Sequence, residues 1–126
     1  MLKVIIADDE LHIRNLLKYL IHWEELGLTF AAEYDNDVVE HVEREHIDII
    51  ITDIQMPGMD GLDMIRAVRE TDPNSRFIVV SGYRDFAYAQ TAVKLGVSDY
   101  ILKPIDEDEL NAALAALVGN GGGEGR

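Results

Sequence analysis

Three aspartates stand where apolar runs stop: Asp8 and Asp9 close Leu2-Lys3-Val4-Ile5-Ile6-Ala7, and Asp53 closes Ile47-Asp48-Ile49-Ile50-Ile51-Thr52. Were the two runs neighbouring parallel strands, the three carboxylates would meet at one edge of one sheet. Like charges in so small a site repel and push a pKa upward, so such a cluster is tolerable mainly when a cation neutralises it, and an all-oxygen donor set points first to a hard one. Magnesium fits, held by Asp8, Asp9, Asp53 and a backbone carbonyl near Gln55, with water or phosphate completing its shell. Such an edge can do phosphoryl chemistry. An aspartate can attack phosphorus and become an acyl phosphate if a metal and a fixed positive charge stabilise the transferring oxygens. Lys103 can supply that charge and Ser81 a hydroxyl donor, each standing at the end of a later apolar run. Singly, an aspartate at a strand end is more often a turn or cap residue. The combination is what carries specificity.

Those residues need elements that deliver them to one place. After the first run, Leu11, Leu16, Leu17, Leu20 and Ile21 recur at helical spacing up to Gly27, and Leu28 to Glu33 reads as a second strand. A helix over 36–45 turns Val38, Val39 and Val42 inward, the Asp53 strand follows, and Gln55 to Gly61 reads as a loop. Leu62, Ile65 and Val68 mark a helix broken at Asp72-Pro73-Asn74, Arg76 to Val80 a fourth strand, and Ala87 to Leu95 a helix stopped by Gly96. Ser98 to Leu102 is a fifth strand, and Leu110, Ala113, Leu114 and Leu117 line a last helix. Five βα units in succession predict a doubly wound α/β fold, a five-stranded parallel sheet with five helices on its two faces. Ligands of such sheets bind beyond the carboxyl ends of the strands. Asp8, Asp9, Asp53, Ser81 and Lys103 all fall there.

The 126 residues suit one domain, read as 1–118, followed by a glycine-rich segment 119–126 that reads as a flexible tail, linker or expression remnant. A net charge of −13 opposes contact with phosphate backbones or anionic membranes, so any DNA binding must come from a separate domain. The chain has no cysteine, which excludes disulfides and thiolate metal sites, and its start shows no signal-peptide pattern. Charges interrupt every apolar run before the roughly 20 residues of a membrane span. The expected location is the cytoplasm.

The motifs Ile5-Ile6-Ala7-Asp8-Asp9-Glu10, Ile51-Thr52-Asp53-Ile54-Gln55-Met56-Pro57-Gly58-Met59-Asp60-Gly61, Val80-Ser81-Gly82 and Asp99-Tyr100-Ile101-Leu102-Lys103-Pro104 resemble the receiver domain of bacterial two-component response regulators. The resemblance runs from about Lys3 to Val118. It implies a flavodoxin-like (βα)5 fold with strand order 2-1-3-4-5, and a phosphorelay role in which a sensor histidine kinase phosphorylates Asp53 in a magnesium-dependent step. Asp8, Asp9, Asp53 and the Gln55 carbonyl would hold the ion, while Ser81 and Lys103 would meet the phosphoryl oxygens. The resemblance also implies a cis Lys103-Pro104 bond, a switch formed by Ser81 and Tyr100, and dimerisation through the fourth and fifth helices or release of an attached domain. Gln55 and Tyr83, flanking the acceptor, would tune self-dephosphorylation. The segment Ser81 to Ala89, with His22 to Gly27, further resembles receivers that precede arabinose-regulator-type helix-turn-helix domains, which would place a DNA-binding, transcription-regulating domain after this one.

Other readings fit less well. A magnesium-dependent phosphatase similar to haloacid dehalogenases needs Asp-x-Asp after the strand, and Gln55 stands where the general acid belongs. The chain therefore reads as a phosphoacceptor rather than an enzyme, apart from its own phosphotransfer and slow self-dephosphorylation. A receiver that acts by binding alone has no need of the intact acids, hydroxyl and lysine. His41 and His46 are five apart, roughly 140° around a helix, and do not make a metalloprotease pair. No glycine-rich phosphate loop follows any strand.

Overall fold

The computed structural model describes residues 1–56, 58–82 and 86–121; Gln55, Met59, Phe86, Asn120 and Gly121 enter through their backbone alone. Strand β1 (Leu2–Ala7) leads to α1 (Leu11–Leu20), a short α2 (Trp23–Leu26) and β2 (Leu28–Tyr34). Helix α3 (Val39–Arg44), β3 (Ile49–Thr52), a hairpin of β4 (Gln55–Met56) and β5 (Met59–Asp60), and α4 (Gly61–Thr71) follow. The chain then forms β6 (Arg76–Ser81), α5 (Phe86–Lys94), β7 (Asp99–Leu102) and α6 (Glu107–Gly121). The main sheet is parallel throughout, in the order β2-β1-β3-β6-β7, which is 2-1-3-4-5 among its own strands.

The strands read as unbroken apolar runs because both faces are covered. Val4, Ile6, Ile49, Ile51, Ile78 and Val80 face α1 and α6, packing on Ile13, Leu17, Leu110 and Leu114. The alternate residues Ile5, Ile50, Phe77 and Val79 face α3, α4 and α5, packing on Val42, Ile65, Val68 and Ala92. Helix α4 starts where the Asp60 carboxylate accepts the Leu62 N–H at 2.8 Å. The acidic first turn of α6 suits the positive end of its dipole.

Three details depart from the expected elements. The first helix breaks at Ile21, whose backbone is extended, because the buried Asn111 side chain of α6 accepts the His22 N–H at 2.8 Å and donates to the Leu20 carbonyl at 2.9 Å. The turn that results is α2, held as Trp23 Nε1 donates to the Lys18 carbonyl at 2.8 Å and closed by Gly27 at φ +70°. The expected loop after Asp53 contains the β4–β5 hairpin. Helix α6 takes in the first three residues of the expected tail; no proline stops it, and each glycine there costs only about 1 kcal/mol. Residues 122–126 lie outside the described residues.

At the amino edge of the sheet, His46 bridges Asp72 at 2.5 Å and Asp48 at 3.0 Å. The Asp72 hydrogen bond, helped by Asp48, raises the imidazole pKa above its ordinary 6.5 against the opposing effect of burial. A raised folded-state pKa stabilises fully below the unfolded value and ceases to do so as pH rises through the folded one. Because the side chain is half exposed, the expected effect is only about 0.5 kcal/mol. Urea unfolding of parent and His46→Gln should differ by that much near pH ~5.5 and converge near pH ~8.5.

Candidate functional site

The parallel register carries the predicted residues to one edge. Ala7 pairs with Thr52, and the Asp53 N–H donates to the Ala7 carbonyl at 3.1 Å, so Asp8 and Asp53 lie side by side just beyond the paired strands. One carboxylate oxygen each of Asp8, Asp9 and Asp53 lies within 4.8 Å of the others. Asp8 and Asp53 are buried, while Asp9 is exposed. On the far side, Ser81 ends β6 fully buried, and its carbonyl accepts the Lys103 N–H at 2.9 Å. Lys103 is thereby aimed back across the edge. Its Nζ lies 3.1 Å from Asp8 Oδ2, 3.0 Å from Asp53 Oδ2 and 3.8 Å from Glu10. The bond between Lys103 and Pro104 is cis.

The charges in this group depend on one another. Burial raises the Asp8 pKa, and the Asp53 charge adds to that, although the Glu10 N–H at 2.9 Å and Lys103 oppose it. Burial disfavours the Lys103 ammonium, yet the hydrogen bond and charge of Asp53, and then those of Asp8, outweigh it and hold its pKa above the ordinary value. One ammonium thus faces three carboxylates, an excess of negative charge on hard oxygen donors that a small divalent cation fits.

The loop after Asp53 is held tightly. Asp53 Oδ1 accepts its neighbour's N–H, that of Ile54, at 2.6 Å, and the Gly61 N–H donates to the Ile54 carbonyl at 2.5 Å. Gly61 has no room for a side chain: a Cβ there would strike the Asp53 carbonyl and come within 2.8 Å of the Ile54 Cα and carbonyl. Gln55 lies two residues past Asp53, at the start of β4, with its side chain outside the described residues. Tyr83 is outside them altogether. Tyr100, in β7 opposite Val79, is half buried and packs beside the core on the α3–α5 face.

Sequence reasoning missed two residues that bear on the edge. Arg14 of α1 donates to the Asp8 carbonyl at 2.6 Å and, through Nε, to Glu33 of β2 at 2.8 Å. The only hint was that Arg14 and Lys18 lie one helical turn apart. Of the two histidines set aside, His41 pairs with Tyr34 and Glu45, and His46 pairs with Asp72 and Asp48.

A doubly wound sheet with acids after its first and third strands, a hydroxyl after the fourth and a lysine after the fifth has the form of a signalling receiver module. The chain belongs to the response regulator receiver domain family, whose model matches residues 4–115. It is 38% identical over 120 residues to the uncharacterized transcriptional regulatory protein YesN of Bacillus subtilis, covering 94% of this chain and 33% of that protein. Among solved structures it is similar to the receiver domain of AraT, a response regulator from Geobacillus stearothermophilus, at TM-score 0.91 and 38% identity over 99% and 98% of the two chains. It is also similar to a two component transcriptional regulator AraC from Clostridium phytofermentans, at TM-score 0.85 and 29% identity over 94% of each. The resemblance to the arabinose-regulator-type subgroup agrees with these relatives. The chain spans between a third and a half of the length of the curated relatives it matches. Among the described residues no helix is long and apolar enough to cross a membrane.

Proposed function

We propose that this receiver takes a phosphoryl group from a sensor histidine kinase onto Asp53 in a magnesium-dependent reaction. The observation that carries the reading is the Asp8, Asp9 and Asp53 cluster with Lys103 bonded to two of its members. In the transfer, an Asp53 oxygen forms the new P–O bond as the donor's P–N bond breaks, the electron pair staying with the departing imidazole. Lys103 moves from neutralising Asp8 and Asp53 to holding a phosphoryl oxygen, and the Ser81 hydroxyl donates to another. Asp8, Asp9, Asp53 and the Gln55 carbonyl would hold magnesium, which when bound neutralises the charge on the phosphoryl oxygens.

Movement of the Ser81 hydroxyl to the phosphoryl group on Asp53, with Tyr100 turning inward, would bias a two-state surface. The helices named fourth and fifth from the sequence are α5 and α6. Val93 of α5 is 69% exposed beside Ala89, an apolar surface suited to a second copy of the chain in the phosphorylated state. The output in this reading is transcription regulation through a separate C-terminal DNA-binding domain, with the protein working in the cytoplasm. Gln55 and Tyr83 would set how fast water removes the phosphoryl group.

Calorimetric titration with magnesium tests the site. The parent should bind one ion, and Asp9→Asn, which removes an exposed ligand without disturbing the core, should weaken it by about tenfold or more. An Asp9→Asn protein that binds as tightly as the parent would contradict the assignment.

A further inference from the structure

The turn that carries Asp8 and Asp9 is not secured by an ordinary helix cap. Glu10, at the start of α1, makes no side-chain capping bond, and no acidic residue lies in the first turn of the helix. The turn is held instead by the Asp8 carboxylate on the Glu10 N–H, by the Asp8 N–H on the Tyr34 carbonyl at 3.0 Å, and by Arg14 on the Asp8 carbonyl at 2.6 Å.

Arg14 is itself clamped. Its Nε donates to Glu33 Oε1 at 2.8 Å, and Lys18, one turn further along α1, donates to Glu33 Oε2 at 2.5 Å. Glu33 lies on β2 opposite Ile6, so the clamp ties α1 to the strand flanking β1. The side chains of Arg14, Glu33 and Lys18 are 15%, 28% and 31% exposed, which limits screening of the group. Only a planar guanidinium can direct one N–H at the carbonyl and another at the carboxylate; an ammonium is a point charge without that fork.

We infer that Arg14, oriented by Glu33, is a positioning residue that sets the aim of the Asp8 and Asp9 carboxylates for magnesium; this rests on the metal-assisted reading of the edge above. The charge and the geometry of Arg14 predict opposite results. As a cation bonded to the backbone carbonyl of a metal-ligand residue, Arg14 repels magnesium, so deleting it would tighten binding if charge alone mattered. As a brace for the turn, its loss loosens the ligands, and displaced outer groups around metal ligands typically cost roughly 10–100-fold in affinity.

Magnesium titrations of folded parent, Arg14→Met, Arg14→Lys and Lys18→Met, each with its thermal melting recorded, decide the matter. Both Arg14 variants should bind magnesium at least about tenfold more weakly. Lys18→Met, which loses an ion pair on the same Glu33 but leaves the carbonyl braced, should stay within about twofold of the parent. Arg14→Lys keeps the charge and most of the stem, so it reads the fork even where Arg14→Met melts early. Arg14 variants that bind as tightly as the parent, or more tightly, overturn the inference while leaving the metal-assisted reading intact. Equal weakening in Lys18→Met also overturns it, because the effect would then be general loosening of α1 on β2. A parent that binds no magnesium overturns the reading of the edge and this inference with it.

Discussion

Lys103→Met is expected to slow phosphoryl uptake from a small acyl-phosphate donor about a thousandfold, the scale on which removal of one preorganised charge donor acts at a transition state. The same change should destabilise the protein without magnesium. Lys103 bonds to both Asp8 and Asp53, and its loss leaves two buried carboxylates side by side with no ammonium between them. Breaking a fully buried pair costs about 3–5 kcal/mol; Lys103 is 18% exposed, so roughly 2 kcal/mol is expected. Magnesium should recover that stability, and the variant should bind the ion more tightly than the parent because a competing positive charge has gone. Melting with and without magnesium, beside a phosphorylation time course, reads both effects. Unchanged uptake by a folded Lys103→Met would remove the lysine from the reaction.

Gly61→Ala is expected to give the largest loss of stability of any single methyl addition near the edge. The added carbon would overlap the Asp53 carbonyl and press on Ile54 backbone atoms that cannot rotate away. Relief requires moving either the first turn of α4 or the strand end that carries Asp53. Overpacking of this kind costs about 1–3 kcal/mol, and rigid backbone neighbours put this case near the top of that range. For a chain of this length the melting temperature should fall by roughly 10 °C. Since the carbonyl displaced belongs to Asp53, phosphoryl uptake should fall further than stability alone explains. Gly58→Ala is the comparison: Gly58 has φ +77° but open space around it, so its cost is backbone strain of about 1 kcal/mol without displacement of Asp53.

What made the edge legible in the sequence was the covering of both sheet faces. Strands buried on two sides read as continuous apolar runs, so the first polar residues after Ala7, Thr52, Val80 and Leu102 mark the carboxyl edge, and parallel pairing gathers them. The features that escaped are those decided by distant partners. Asn111 breaks the first helix by capturing the N–H of His22 from 89 positions away, a contact with no trace in local periodicity. Arg14 and Glu33 meet only because β2 pairs with β1 and α1 packs above them. Gly61 looked like a turn glycine, whereas its role is to let α4 approach the backbone of Asp53 and Ile54. In each case the residue was visible and its partner was not.

The most direct measurement is the intact mass of the protein after incubation with magnesium and a small acyl-phosphate donor, parent against Asp53→Asn. The account predicts a labile gain of one phosphoryl group in the parent, absent without magnesium and absent in the variant. A phosphoryl group that appears equally on Asp53→Asn would contradict it.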